Sequence, residues 1–107
     1  MMKGNIAQMM QKAQRMQENM QKVQEELAQT EVTGQAGGGA VKITLTGKFE
    51  ARKVNIDPAV MADAEMLEDL MVAAINDAVG KANEESSRRM AAVTAGMPMP
   101  PGLKLPF

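Results

Sequence analysis

The sequence predicts an α+β chain: a long N-terminal helix, a three-stranded antiparallel sheet, a long C-terminal helix and an extended Pro-rich tail. Three observations carry this. Apolar residues recur in steps of 3 and 4 from Ile6 to Leu27, a helical period. In the middle of the chain the period changes to 2, with Val41, Ile43 and Leu45 alternating with Lys42, Thr44 and Thr46. After Asp57-Pro58 the helical spacing returns and continues to about Val93. We read residues 1–95 as one α-β-β-β-α domain and 96–107 as the tail.

The first helix is expected over Asn5–Gln29, with Asn5 as its N-cap after Gly4. Its apolar seam is Ile6, Met9, Ala13, Met16, Met20, Val23 and Leu27, an unbroken heptad pattern flanked by Met10. Seven Gln and the charged residues occupy the other faces, and Glu18 precedes Lys22 by four, the favourable order for an ion pair. The seam is a packing surface. Some 24 residues make a helix of about 36 Å, whereas a strand of about seven residues spans only about 23 Å. The helix must therefore overhang any sheet built from these strands, and a second helix is needed against its seam.

Three strands follow. Val32 and Thr33 favour β-structure and open a short first strand that reaches Gly34. Gly37-Gly38-Gly39 turns the chain into the Val41–Thr46 strand, and Gly47-Lys48 turns it again. Val54 and Ile56 then alternate with Lys53, Asn55 and Asp57 as a third strand. Pro58 suits a first helical position, with a brief turn through Met61. Asp63 is placed to cap the main helix, in which Leu67, Leu70, Met71, Ala74, Ala78 and Ala82 share helical spacing. Glu65, Glu68 and Asp69 stand near its positive end, and Lys81, Arg88 and Arg89 toward its negative end, as the helix dipole favours. Beyond Val79 the apolar face narrows to Ala, which predicts either close helix approach or a fraying end. The tail GMPMPPGLKLPF excludes helix and central strand, yet is apolar for a solvated segment.

Composition excludes most chemistry. With no Cys and no His among 107 residues, disulfides, thiolate metal sites, Cys nucleophiles and the commonest general base are absent. The Gly triplet lacks a following GK[ST] and leads into a strand, so it is a turn and no phosphate loop. The adjacent pairs Glu25-Glu26, Glu68-Asp69 and Glu84-Glu85 diverge by about 100° on a helix and read as solvated faces. Ser86 and Ser87 have no activating base. No catalytic residue, metal ligand, cofactor or small-molecule substrate is expected, and no stretch is apolar enough to span a membrane. We expect a soluble intracellular protein. Twelve Met, two Phe and no Trp or Tyr make an adaptable core of low aromatic content, which predicts self-association.

The basic residues are the remaining candidates. Net charge is only −1, but residues 1–53 hold eight Lys/Arg against five acids, and 54–107 hold four against eight. Lys12, Arg15 and Lys22 lie off the first seam, and Arg88 and Arg89 lie toward the far end of the second helix. These five are the candidate phosphate contacts, the plainer alternative being a solvated helix face. Gln8, Gln11 and Gln14 are placed to reach base edges. With so few aromatics, base stacking on single strands or RNA is disfavoured.

Taken together, QKAQRMQENMQKVQEELAQ (11–29), VTG (32–34), GGGAVKITLTG (37–47), RKVNIDP (52–58), EMLEDLMVAAINDA (65–78) and GMPMPPGLKLPF (96–107) resemble the YbaB/EbfC family of bacterial nucleoid-associated proteins. The tail has Leu103 and Leu105 where Phe and Met are common in that family. The resemblance implies a homodimer joined through its sheets with helices projecting like tweezer arms. It also implies double-stranded DNA binding in the cytoplasm at the nucleoid, DNA compaction or altered conformation, and an influence on gene expression. Val41, Ile43, Leu45, Val54 and Ile56 are the expected buried and dimer-forming positions. The competing reading is a protein-interaction adaptor whose Met-rich helices hold a replication or recombination partner.

Overall fold

The computed structural model describes residues 2–94, with side chains from 5 to 93. The tail expected at 96–107 lies outside the described residues. The elements run α1 (Met2–Gln29), β1 (Glu31–Ala36), β2 (Val41–Thr46), β3 (Ala51–Ile56), α2 (Pro58–Met61) and α3 (Ala64–Thr94). The strands form one antiparallel sheet in the order β1-β2-β3. A meander of this kind needs only short turns, and the chain supplies them.

The period-2 pattern sets the layers. Val41, Ile43 and Leu45 are buried beneath α3, where Ala74 and Ala78 meet them with no exposed surface of their own. Directly paired residues share a sheet face, so Gly34 beside Ile43, and Val54 on Ile43's other side, also point toward the helix layer. Helix and sheet touch at Gly34. A Cβ there would lie 2.2 Å from the Ala78 amide nitrogen and 2.5 Å from the Ala74 carbonyl oxygen. Small residues on both sides thus let the backbones meet. The Gly37–Gly39 turn uses positive φ at all three positions (64°, 67° and 97°), which Gly adopts without strain.

α3 covers β1 and β2 but not all of β3. Leu70 lies against Gly37, Asp77 accepts from the Gln35 amide at 2.9 Å, and the Lys81 ammonium reaches the Thr33 carbonyl at 3.0 Å. These ties hold α3 over the β1 side. On the β3 side Val54 stays 48% exposed, Ile56 is half-buried, and Phe49 and Ile75 are exposed.

The helix ends follow their signals at α2 and α3. The Asp57 carboxylate accepts from the Ala59 amide at 2.9 Å, with Pro58 in the first turn. Asp63 accepts from the Met66 amide at 3.0 Å. α1 differs from expectation: it begins at Met2, so Asn5 lies inside the helix and does not cap it. A single Gly4 costs a helix about 1 kcal/mol relative to Ala, too little to stop a run flanked by good helix formers.

The overhang expected from the length comparison is present. α1's 28 residues make about 42 Å of helix, and the molecule measures 73 × 27 × 16 Å. Among the described residues, only the last two turns of α1 are held. Val23 and Leu27 pack on Met90 and Val93 of α3, and the Gly47 amide donates to both Leu27 and Thr30 carbonyls at 2.9 Å. Ala82 and Met90 are buried, and Met90 packs on Val23 and Leu27 of α1, so α3 stays packed to this point and does not fray just beyond Val79. From Asn5 to Lys22 every residue except Met16 is exposed, including the seam residues Ile6 (56%) and Met9 (68%). α3 covers the seam at its base and leaves the rest open.

Candidate nucleic-acid interface

A helix that leaves the body of a protein presents its charges to whatever approaches. On α1, Arg15 and Lys22 are seven residues apart and so fall on nearly the same face, about 10 Å apart along the axis. Lys12, three residues from Arg15, lies nearer the Met seam. All three are exposed, and among the described residues none has an ion-pair partner. The Glu18–Lys22 pair permitted by spacing does not form. Unpaired cations on a narrow arm suit phosphate contact, because no internal carboxylate has to be displaced.

Arg88 and Arg89 are placed differently. Glu85 lies one turn before both, and its carboxylate accepts from the Arg88 guanidinium and from Arg89 Nε at 2.8 Å. Arg89 Nη1 also reaches Glu26 Oε2 of α1 at 3.1 Å. Glu85 is the hub, with a side chain only 13% exposed against 74% for Arg88. The hydrogen bonds from Arg88, then Arg89, hold the Glu85 carboxyl below its ordinary range, while partial desolvation opposes them. The same contact raises the Arg88 pKa. Glu26 and Glu85 are therefore members of an interhelical ion-pair network, which corrects their assignment to simple solvated faces. The Glu85 part was legible in its i+3 and i+4 spacing to the arginines. Glu26, 63 residues away from Arg89, left no local signal.

The fold brings Lys22 and Arg89 together. They line a shallow depression at the α1–α3 junction with Asn19, Glu26, Ala92 and Val93. Lys12 and Arg15 stand farther out on the free arm, beyond the end of α3 at Thr94. The five candidates thus form a line: a partly neutralised cluster at the base and free cations toward the tip. Arg52 is a further cation that the sequence reading passed over. Its side chain donates to the Ala28 carbonyl at 3.3 Å and approaches Glu50 at 3.8 Å, tying β3 to the end of α1.

The sheet residues expected at a dimer contact fall into two groups. Val41, Ile43 and Leu45 are already covered by α3 of the same chain. Val54 and Ile56 remain accessible on the uncovered side of β3. Among the described residues there is no group of three or more Asp or Glu arranged to hold a metal ion, and no helix is long and apolar enough to cross a membrane.

Comparison with known proteins gives one consistent result. The model of the YbaB/EbfC DNA-binding family matches residues 2–97. A nucleoid-associated protein of Xanthomonas campestris pv. campestris is 63% identical over 106 residues, spanning 99% of this chain and all of that protein. A nucleoid-associated protein of Xylella fastidiosa is 61% identical over 107 residues, with both chains covered in full. The crystal structure of an uncharacterized protein from Helicobacter pylori has the same fold, with a TM-score of 0.70 at 24% identity over 84% of this chain and 96% of that one.

Proposed function

The chain belongs to the YbaB/EbfC DNA-binding family, and from that premise we propose that it is a non-enzymatic homodimer that binds double-stranded DNA at the nucleoid in the cytoplasm. Bound in this way it alters DNA conformation or compaction and influences gene expression. The carrying observation is the projecting arm: Lys12 and Arg15 stand exposed beyond the body of the protein, Lys22 is exposed at its base, and none of the three has an ion-pair partner among the described residues. Two copies present two such arms, with Arg88 and Arg89 at each base. Phosphate contacts from Lys and Arg supply affinity that is independent of sequence, and Gln8, Gln11 and Gln14, exposed on the same helix, supply limited base readout.

The homodimer reading draws on the uncovered side of β3. Val54, Ile56, Phe49 and Ile75 leave an apolar strip beside α3, of the kind that a second copy covers. In this arrangement Val41, Ile43 and Leu45 support the contact from beneath as core. The nucleoid assignment draws on relatives named as nucleoid-associated proteins. A gel-shift titration on long duplex DNA at about 50 mM salt tests the proposal. Retarded complexes that dissolve as salt rises are expected, and no binding at all would sink it.

The open Met seam of α1 favours one other reading, an adaptor that grips a replication or recombination protein. Charge reversal at Arg15, Lys22, Arg88 and Arg89 separates the two. Loss of function in the cell with DNA affinity unchanged selects the adaptor.

A further inference from the structure

We propose that the apolar seam of the α1 arm is the docking surface for the segment of the same chain that follows Thr94, centred on Met97 and Met99. The inference does not depend on DNA binding. It starts from a seam that is continuous in sequence but covered for only part of its length. Val23 and Leu27 are buried on Met90 and Val93. Met20, Met16, Ala13 and Met9 continue the same stripe and line an open apolar groove with Lys12 and Gln17.

The helices are antiparallel where they meet. Arg89 reaches Glu26, while Ala92 and Val93, farther along α3, stand beside Asn19 and Val23. The axis of α3 therefore runs toward Met16 and Met9, and the described part of α3 stops where the open groove begins. From Met20 to Met9 the groove is about 17 Å long, at 1.5 Å per helical residue. Thirteen residues follow Thr94 in the sequence, and in an extended Pro-type conformation they span about 40 Å.

The composition of this segment matches the surface. Met97, Met99, Leu103, Leu105 and Phe107 are apolar, and Lys104 is the only charged side chain from 95 onward. Pro98, Pro100 and Pro101 restrict the free chain, so less conformational freedom is lost on docking than for an ordinary tail. Met on both surfaces gives adaptable packing without a demand for one geometry. An isolated helix that exposes such a stripe is marginally stable in water, and the docked segment stiffens it. Arg15 and Lys22 stay clear, since neither lines this groove.

Methyl NMR on the full chain with isotope-labelled Met tests this. Nuclear Overhauser contacts are expected between the methyls of Met97 or Met99 and those of Met16 or Met20. Met97→Gln/Met99→Gln should shift the Met9, Met16 and Met20 methyls and leave Met71 and Met90 in place. Amide exchange provides a second measurement: Met16→Gln should speed exchange across 97–105 about fivefold to tenfold. Seam methyls that ignore the tail substitutions, together with tail exchange that ignores Met16→Gln, overturn the proposal. So do contacts seen only between differently labelled copies, or seam shifts that follow protein concentration alone, since those put a second copy on the groove.

Discussion

Arg89 Nη1 lies 3.1 Å from Glu26 Oε2, and this ion pair joins α3 to α1 across 63 residues of sequence. Through Glu85 the same guanidinium is bonded to its own helix at 2.8 Å. Two cations proposed to meet DNA are thus engaged with carboxylates in the unbound protein. Phosphate has to compete with them.

Removing the hub charge should favour phosphate. Glu85→Gln is expected to tighten binding to duplex DNA about two- to fivefold at low salt, the scale of exposed ion pairs. It should also steepen the salt dependence as Arg88 becomes available. Glu68→Gln, far from the arginines, is the control for net charge, and fluorescence anisotropy with both variants reads the difference. Equal gains in the two variants would show that Glu85 does not mask the arginines.

The free arm should behave additively. Lys12→Ala and Arg15→Ala are each expected to lower the slope of log affinity against log salt by about 0.9. Neither should change thermal stability, because both side chains are exposed and have no ion-pair partner among the described residues. A slope unchanged in the double variant would remove the outer arm from the DNA contact.

Acid should weaken the fold through two carboxylates. The Asp77 pKa is lowered by the Gln35 amide and then by Lys81, and that of Glu85 by Arg88 and then Arg89. A carboxyl with a depressed folded pKa contributes stability that is complete above its unfolded value, 3.8 for Asp77 and 4.5 for Glu85. That stability is lost as pH falls through the folded value. Urea midpoints should therefore hold from pH 7 to about 5 and drop below about 4.5. In Asp77→Asn/Glu85→Gln the low-pH drop should be shallower.

Gly34 tests the helix–sheet contact. Its missing Cβ would stand 2.2 Å from a backbone nitrogen of α3, and backbone cannot yield as a side chain can. Gly34→Ala should cost about 3 kcal/mol or more, at the upper end of overpacking changes, and chemical denaturation measures it. A loss below about 1 kcal/mol would mean that α3 shifts freely on the sheet.

The uncovered side of β3 tests the homodimer. Val54→Asp places a charge on the apolar strip while leaving the core contacts of Ile43 and Val41 in place. Sedimentation should show a dimer for the parent chain and a folded monomer for the variant at micromolar concentration. A parent chain that is monomeric there would dismiss the dimer.

Much of this arrangement was legible before any coordinates. The alternation from Val41 to Thr46 located the layer beneath α3, and Asp57 and Asp63 located two helix starts. A strand-to-helix length comparison anticipated the projecting arm. Other features depend on which elements cross. Gly34 reads as an ordinary strand Gly until α3 passes over it, and Glu26 reads as solvated until α3 returns beside it. Val54 and Ile43 carry the same alternation signal, yet one is exposed and the other buried, because α3 lies over β1 and β2 only. Lys12, Arg15 and Lys22 were legible as off-seam residues, and Arg88 and Arg89 by their place toward the far end of the second helix. Their division into free and engaged sets was legible only where Glu85 stands three and four residues before the arginines; the Glu26 contact to Arg89, across 63 residues, left no local signal.

In the proposed homodimer, the manner in which α1 is held would set how the two arms meet an object between them. Among the described residues α1 is clamped over its last two turns alone, by Leu27, Val23 and the Gly47 amide, which leaves a projecting length of about 27 Å. A tilt of about 10° at the clamp moves the tip by roughly 5 Å over that length, about 10 Å for two opposed arms. Small repacking around Met90 and Val93 thus sets the width of the opening. A stiff rod on a narrow hinge gives the gap between two arms a wide range of travel, while the spacing of charges along each arm stays constant.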